Sequence, residues 1–346
     1  VRARIAPPDD EAGAEARRRL DAKTKPRGSL GRLEEIAVRY CAIRRCADPD
    51  LPRKAVIVAA ADHGVAEEGV SAYPQEVTGQ MLLNFAAGGA AINVLARHAG
   101  AKVVVVDMGV KAAPEGGEGI LSRRIGSGTA NMAKGPAMSR AQAREAVEAG
   151  ISLAASLAES GTTLLALGDM GIANTTASSA MTAAFLVLDP EAVVGRGTGV
   201  DDEGRRRKVA AVRRALEVNS PDPADPLDVI AKVGGFEIAA LAGAVLGGAA
   251  GRCAVLLDGF ITSAAALAAV RLAPDALGFL IPSHRSAEPG HGRILDALRL
   301  EPLFDLGMRL GEGTGAALAM HLVEASVRIL REMATFEGAG VSDSGR

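Results

Sequence analysis

The 346-residue chain has no tryptophan, two tyrosines (Tyr40, Tyr73) and seven phenylalanines, so aromatic residues make up 3% of it. Nucleic-acid readers built on stacking platforms need more rings than that. Net charge is missing too: 39 basic side chains face 41 acidic ones, a formal balance of −2. No field draws the whole chain onto nucleic acid or a membrane surface. The three cysteines, Cys41, Cys46 and Cys253, are odd in number and lack a CxxC spacing. A disulfide framework and a structural zinc site are both disfavoured, and a reducing cytoplasm is the expected location. Lysine is scarce, 8 against 31 arginines, which makes each one stand out. The first ten residues carry charges and two prolines around no apolar segment, so they do not read as a secretory signal. The longest uncharged stretch, 170–188, contains Asn174, Thr175, Thr176, Ser178 and Ser179. The apolar stretch 238–251 is shorter than the roughly 20 residues a bilayer needs. Both read as buried helices, with no membrane span.

What the chain does have is 48% hydrophobic residues and 41 glycines, with long alanine runs. Small side chains suit closely packed helices and sheet rather than a β-sandwich. Residues 10–20 and 30–46 follow a helical period, broken at Thr24-Lys25-Pro26-Arg27-Gly28. Five short apolar runs then appear: 54–61, 102–107, 163–167, 252–257 and 277–281. They end in Asp62-His63-Gly64, Met108-Gly109, Gly168-Asp169-Met170-Gly171, Asp258-Gly259 and Pro282-Ser283-His284. Apolar runs alternating with helical stretches predict a parallel sheet buried on both faces, with ligands beyond the carboxyl ends of its strands. Residues 314–333 predict a long amphipathic helix ending near Glu337-Gly338, followed by a frayed tail, 339–346. The expected fold is α/β: a Rossmann-like, mostly parallel sheet flanked by helices, with a small helical domain formed by the N- and C-terminal segments. The boundaries are 50–305 for the large domain, and 1–49 with 306–346 for the small one.

Four motifs invite chemistry. The run Gly168–Thr176 (GDMGIANTT) is either an anion site at a helix start or a tight strand-to-helix turn. Gly195-Arg196-Gly197-Thr198-Gly199, followed by the basic run 205–208, is either a phosphate cradle or a surface loop with solvated charges. Gly311-Glu312-Gly313-Thr314-Gly315-Ala316 formally matches a dinucleotide fingerprint. A single helix follows it, with no second strand for a βαβ unit, so that reading fails. There remains a carboxylate between glycines at a helix start. The dipole there favours its ionised form, making Glu312 either a base or part of a solvated capping loop. In Ser283–His291 (SHRSAEPGH), His284, Glu288 and His291 match no metal-ligand spacing, and Pro289-Gly290 breaks any helix between them. A polar strand-end loop is the better reading there, as a hydrogen-bonded loop histidine is for Asp62-His63. No GxSxG nucleophile elbow is present.

Taken together and in order, TKPRGSLGRLE (24–34), ADHGVAEEGVSAYP (61–74), GDMGIANTT (168–176), GRGTG (195–199), DGFITSAAAL (258–267), SHRSAEPGH (283–291) and MRLGEGTGAALA (308–319) resemble the nicotinate-nucleotide–dimethylbenzimidazole phosphoribosyltransferase family over nearly the whole chain. That family makes the lower-ligand nucleotide of cobalamin. The resemblance implies transfer of phosphoribosyl from nicotinate mononucleotide to 5,6-dimethylbenzimidazole, giving α-ribazole 5′-phosphate and nicotinate with inversion at the anomeric carbon. No cofactor and no metal are implied. The family's general base falls on Glu312 and its second acidic position on Asp169, where relatives often carry Glu. By the same resemblance, phosphate and ribose contacts fall on Gly171, Ile172, Asn174, Thr175, Thr176, Gly197, Gly199, Lys208, Ser286 and Arg309. The base pocket falls on Tyr73, Gln80, Met81 and Leu310, with Tyr73 where the family often has a small Ser and Phe85 as a further ring. The implied partners are these small molecules, with no nucleic acid, in a cytoplasmic homodimer. A nucleotide-dependent oxidoreductase would need a fingerprint after the first strand, and Asp62-His63-Gly64 is not one. A non-catalytic nucleotide sensor is the alternative from another class.

Overall fold

The computed structural model describes residues 1–112, 118–197 and 199–342. Two helices, α1 (Asp10–Asp21) and α2 (Arg32–Arg44), precede the first strand, β1 (Lys54–Ala61). Helices α3 (Glu76–Ala86) and α4 (Ala91–Ala99) lead to β2 (Lys102–Gly109) and a short β3 (Ile120–Ser122). Helix α5 (Arg140–Glu159) returns to β4 (Leu164–Met170). Next come α6 (Asn174–Leu186), α7 (Asp202–Asn219), α8 (Pro226–Val233) and α9 (Phe236–Ala250), then β5 (Ala254–Leu257), α10 (Phe260–Leu272) and β6 (Leu280–Pro282). The last helices are α11 (Pro289–Leu298), α12 (Thr314–Glu332) and α13 (Phe336–Ala339). Several begin where a side chain satisfies the otherwise orphaned amides. Asp9 accepts from Ala12 N at 2.9 Å, Asp201 from Gly204 N at 2.7 Å, and Ser139 and Gln142 form a reciprocal box at 3.2 and 3.0 Å. Each such cap is worth about 1 kcal/mol.

The six strands lie in the order β3-β2-β1-β4-β5-β6, and every ladder is parallel. The order reverses between β1 and β4, which opens a crevice at their carboxyl ends. Both faces are covered. Gly248 of α9 lies against Leu165 and Val255, whereas Gly313, just before α12, lies against Val56. The pairings Ala55↔Leu165 and Val56↔Ala166 put those contacts on opposite sides of the sheet. Helix α5 packs on α9 closely enough that a β-carbon on Gly150 would lie 1.8 Å from Ala240 O, and one on Gly243 2.0 Å from Val147 O. Alanine and glycine richness is therefore a packing requirement in this layer.

The run 54–61 is β1 to the residue, 170–188 contains the buried helix α6, and 238–250 lies within the buried helix α9. Three details differ from the sequence expectation. Strand β3 went unpredicted because it is three residues long and only half-buried at the sheet edge. In 277–281 only Leu280 and Ile281 are strand, because Pro274–Phe279 forms a 3-10 turn. Helix α12 ends at Glu332, not near Glu337-Gly338: Met333 turns extended, and Thr335 starts α13 by accepting from Gly338 N at 3.0 Å. Of the tail expected to fray, 343–346 lie outside the described residues. The segment Glu76–Ala99 is long and apolar enough to cross a membrane by composition, but it is two helices broken by a turn at 87–90.

The chain's two ends meet. Ala16, Leu20, Ala37, Cys41 and Leu330 form a small core of their own, apart from the main one. Lys23 pairs with Thr335 in an antiparallel bridge, Thr24 N donates to Ala334 O at 3.0 Å, and Lys23 Nζ to Met333 O at 2.6 Å. A buried ion pair, Lys25–Glu34 at 2.7 Å, fixes the TKPRGSLGRLE segment between α1 and α2.

Candidate active site

Strand-end residues of β1, β4 and β5 supply three aspartates, Asp62, Asp169 and Asp258, all buried. Asp169 is paired in register with Ala59 across the switch point. The loop before α12 then crosses over β4. Glu312 N donates to Asp169 O at 3.2 Å, and a β-carbon on Gly168 would sit 2.2 Å from Glu312 O. Only glycine at 168 lets that backbone come so close. Glu312 Oε2 accepts from Ile92 N, in the first turn of α4, at 3.3 Å. Asp169 Oδ2 accepts from Asn174 Nδ2 at 2.9 Å. Glu237, in the first turn of α9, completes a group of four buried carboxylates: Asp169, Asp258, Glu237 and Glu312.

Crowding and burial set their proton affinities. Burial pushes Asp169 well above the ordinary carboxylate range, and Asp258, Glu237 and Glu312 push it further. Asp258 rises to about 7, with burial outweighing three backbone hydrogen bonds. Glu312 is raised by burial, with the Ile92 amide opposing. This corrects the dipole expectation, because the field at a helix start is weaker than the desolvation here. The nearby histidine is engaged: His63 Nε2 lies 2.7 Å from Glu237 Oε1. Burial alone would lower His63, but the charge and hydrogen bond of Glu237, with Asp62, hold it above its usual value. The pair sits under Gly171, whose β-carbon would lie 3.3 Å from Glu237 Oε1 and 3.4 Å from His63 Nε2.

A second group lies beside the first. Helix α6 is entered through Ala173 at φ 75 with no side-chain cap. Its first two residues face opposite ways chemically: Asn174 binds Asp169, while Thr175 Oγ1 accepts from Lys208 Nζ at 2.9 Å. Lys208 is 1% exposed, and among the described residues no carboxylate lies within 4.0 Å of its ammonium. Burial pushes its pKa down to about 8, opposed by Glu288. Gly197 N donates to Glu288 Oε1 at 2.9 Å, Arg309 Nη1 donates to Gly197 O at 3.0 Å, and Glu288 N reaches Ser286 Oγ at 3.4 Å. Gly199 lies 3.9 Å from Arg309 Nη1, measured from its β-carbon position. The hydroxyl of Thr176 is buried with no partner. Thr198 lies outside the described residues.

The structure thus gathers Thr175, Gly197, Lys208, Ser286 and Arg309, and joins Asp169 to Glu312 and Asn174. Ile172 is close, but its amide already donates to Thr78 Oγ1 at 3.2 Å, so it is not a free donor. The residues expected around the base are looser. Tyr73 and Leu310 are 53% and 59% exposed, Gln80 is exposed on α3, and Met81 is half-buried against the core. Phe85 is a core residue. Among the described residues, none of Tyr73, Gln80, Met81 and Leu310 hydrogen-bonds a carboxylate of the group. His284, Glu288 and His291 point to separate partners: His284 Nδ1 to Ser283 Oγ, Glu288 to Gly197, His291 to Ser286 N and Ser263 Oγ. Burial holds His291 down at about 3, so it is neutral.

Sequence reasoning missed Asp258, Glu237 and Glu288 as site members. Asp258 had a signal, since Asp62, Asp169 and Asp258 all close apolar strand runs. Glu237 had a fainter one, being the sole charge in the helix Phe236–Ala250.

A family model described as phosphoribosyltransferase matches residues 5–341. A nicotinate-nucleotide–dimethylbenzimidazole phosphoribosyltransferase of Roseiflexus sp. is 58% identical over 340 residues, covering 98% of this chain and 96% of that protein. Its counterpart in Desulforudis audaxviator is 57% identical over 341 residues, covering 99% and 97%. A crystal structure of the enzyme so named from Thermus thermophilus superposes with a TM-score of 0.91 at 52% identity, covering 97% of this chain and all (100%) of that one. Another from the same organism, described as CobT, gives 0.93 at 53%, covering 96% and 100%.

Proposed function

The chain belongs to the nicotinate-nucleotide–dimethylbenzimidazole phosphoribosyltransferase family, and from that premise we propose how its residues divide the reaction. It is an enzyme that transfers the phosphoribosyl group of nicotinate mononucleotide to 5,6-dimethylbenzimidazole. The lone pair of one benzimidazole nitrogen forms a bond to C1′. The bond from C1′ to the pyridinium breaks, and its electron pair neutralises the departing nicotinate ring. The proton on the other benzimidazole nitrogen leaves to a base. In our reading that base is Glu312, whose raised proton affinity suits it to accept.

Lys208 takes the phosphate, with Thr175, Thr176, Gly197, Gly199, Ser286 and Arg309 around it. Asp169 orients Asn174 and the Glu312 backbone. Tyr73, Gln80, Met81 and Leu310 close over the base. The observation that carries this reading is the start of α6: consecutive residues Asn174 and Thr175 hold, at 2.9 Å each, a buried carboxylate and a buried cation. A buried ammonium bonded only to a hydroxyl keeps donors for an anion. Acid on one side and cation on the other complement a substrate that carries a pyridinium and a phosphate. Fixing the ribose between them supplies much of the rate.

Nicotinate release on mixing protein, nicotinate mononucleotide and 5,6-dimethylbenzimidazole is the test. Binding without release would instead indicate a sensor. We further propose the division into 50–305 and a helical unit of 1–49 with 306–346, supported by the separate small core. A homodimer is proposed from the exposed apolar side chains Tyr73, Leu83 and Val94 around α3 and α4, to be checked by light scattering. Three free cysteines fit a cytoplasmic location.

A further inference from the structure

The first amides of α12 have no cap from their own segment, because the N-cap residue is Gly313. Asp258, arriving from the end of β5, satisfies them instead. Its Oδ2 accepts from Gly313 N at 3.1 Å, and its Oδ1 from Gly315 N at 2.7 Å and Ala316 N at 3.3 Å. The residue immediately before this clamp is Glu312, held at φ 62. A glutamate in the left-handed region is strained and persists only when its surroundings impose it. Here they do so from both sides: Asp169 O holds the Glu312 amide at 3.2 Å, and Asp258 holds three of the next four amides, those of Gly313, Gly315 and Ala316.

The titratable groups facing Asp258 are Asp169 from β4, Glu312 from the crossing loop and His284 after β6. His284 Nδ1 lies 3.7 Å from Asp258 Oδ1, yet burial lowers its proton affinity, so it brings no cation. Asp258 therefore has backbone dipoles as partners and carboxylates as neighbours. The charge of Glu312 in turn raises the proton affinity of Asp258.

We propose that Asp258 is a positioning residue for phosphoribosyl transfer, clamping Gly313–Ala316 so that Glu312 keeps its left-handed backbone and presents its carboxylate to the acceptor base. The proposal rests on Glu312 being the proton acceptor. The experiment compares Asp258→Asn, Glu312→Gln and the double variant in the full chain, with thermal midpoint and nicotinate mononucleotide binding measured alongside. Asn keeps the size and one acceptor but loses the charge. The expected result is a kcat about tenfold lower for Asp258→Asn with KM for nicotinate mononucleotide unchanged, and a loss of about a hundredfold for Glu312→Gln. The double variant should lose no more than Glu312→Gln alone, since Asp258 acts through Glu312. The loss should fall on kcat and leave KM and nicotinate mononucleotide binding in place, a split that a merely structural role would not produce. Near-normal kcat in Asp258→Asn, multiplying losses, or a KM that rises in step with the kcat loss would each overturn the clamp. Near-normal kcat in Glu312→Gln would overturn the base assignment, and the clamp with it. If Asp258→Asn does not fold, Asp258→Glu, which keeps the charge but displaces it, is read by its kcat loss and its non-additivity with Glu312→Gln.

Discussion

Around Lys208 the side chains are already knit together, whereas around Tyr73, Gln80 and Leu310 they stand apart in solvent. At the first end, Thr175, Gly197, Glu288 and Arg309 are fixed by hydrogen bonds of 2.9 to 3.0 Å. At the second, the two largest apolar side chains are more than half exposed. The phosphate is the same in every substrate turnover, so a rigid, buried anchor costs little ordering when it binds. A flat base offers few polar groups to grip. If Tyr73 and Leu310 line its pocket, as proposed, that pocket works by shape, set by exposed side chains that can be exchanged without disturbing the core.

The largest test of this contrast concerns the acid at the junction of the two ends. Glu312→Gln should lower kcat by about a hundredfold or more while nicotinate mononucleotide still binds, as calorimetry would show. Near-normal turnover would remove Glu312 as the base. At the rigid end, Lys208→Met should raise KM for nicotinate mononucleotide by about ten- to a hundredfold, the worth of a lost charge-assisted hydrogen bond. A small change in KM would mean the anchor lies elsewhere.

The same end should show a pH signature. Lys208 is charged below its depressed value of about 8 and neutral above it. Affinity for the phosphate should therefore fall as pH rises, by about tenfold between pH 7 and pH 9. Lys208→Arg, which stays charged throughout, should flatten that profile. The smallest effect belongs to the open end. Tyr73→Ser should change the preference between 5,6-dimethylbenzimidazole and benzimidazole by a few-fold, up to about tenfold, in a competition assay. KM for nicotinate mononucleotide should not move.

The two ends also differed in how far they could be read from sequence. Apolar runs located β1 to the residue and most of the other strands, because strands buried on both faces tolerate little else. Glycine-flanked loops and a scarce lysine singled out residues that the fold brings together around Lys208, because backbone approach and a buried cation each demand a particular residue type. Strand β3 left no such trace, being short and half-exposed. The end of α12 was misplaced because the turn at Met333 is imposed by the bridge from Lys23 to Thr335. The proton affinity of Glu312 depends on its burial and on the Ile92 amide at the start of α4, 220 residues away in sequence, and no local pattern encodes either. Met81 and Leu310 look like any aliphatic residues until a ligand gives them a role.

The crossing of Glu312 over Gly168 also sets an order of events in synthesis. By the time the ribosome reaches Glu312, all six strands and Lys208 have been made. The nascent chain can pair its sheet and gather much of its anion site, yet the acid that completes the crevice arrives only afterwards. The same late segment carries the partners of Lys23 and Thr24, so the first helices to emerge wait for the last to be strapped in place. With Glu312 as the base, turnover would require both ends of the polypeptide to have been delivered and joined.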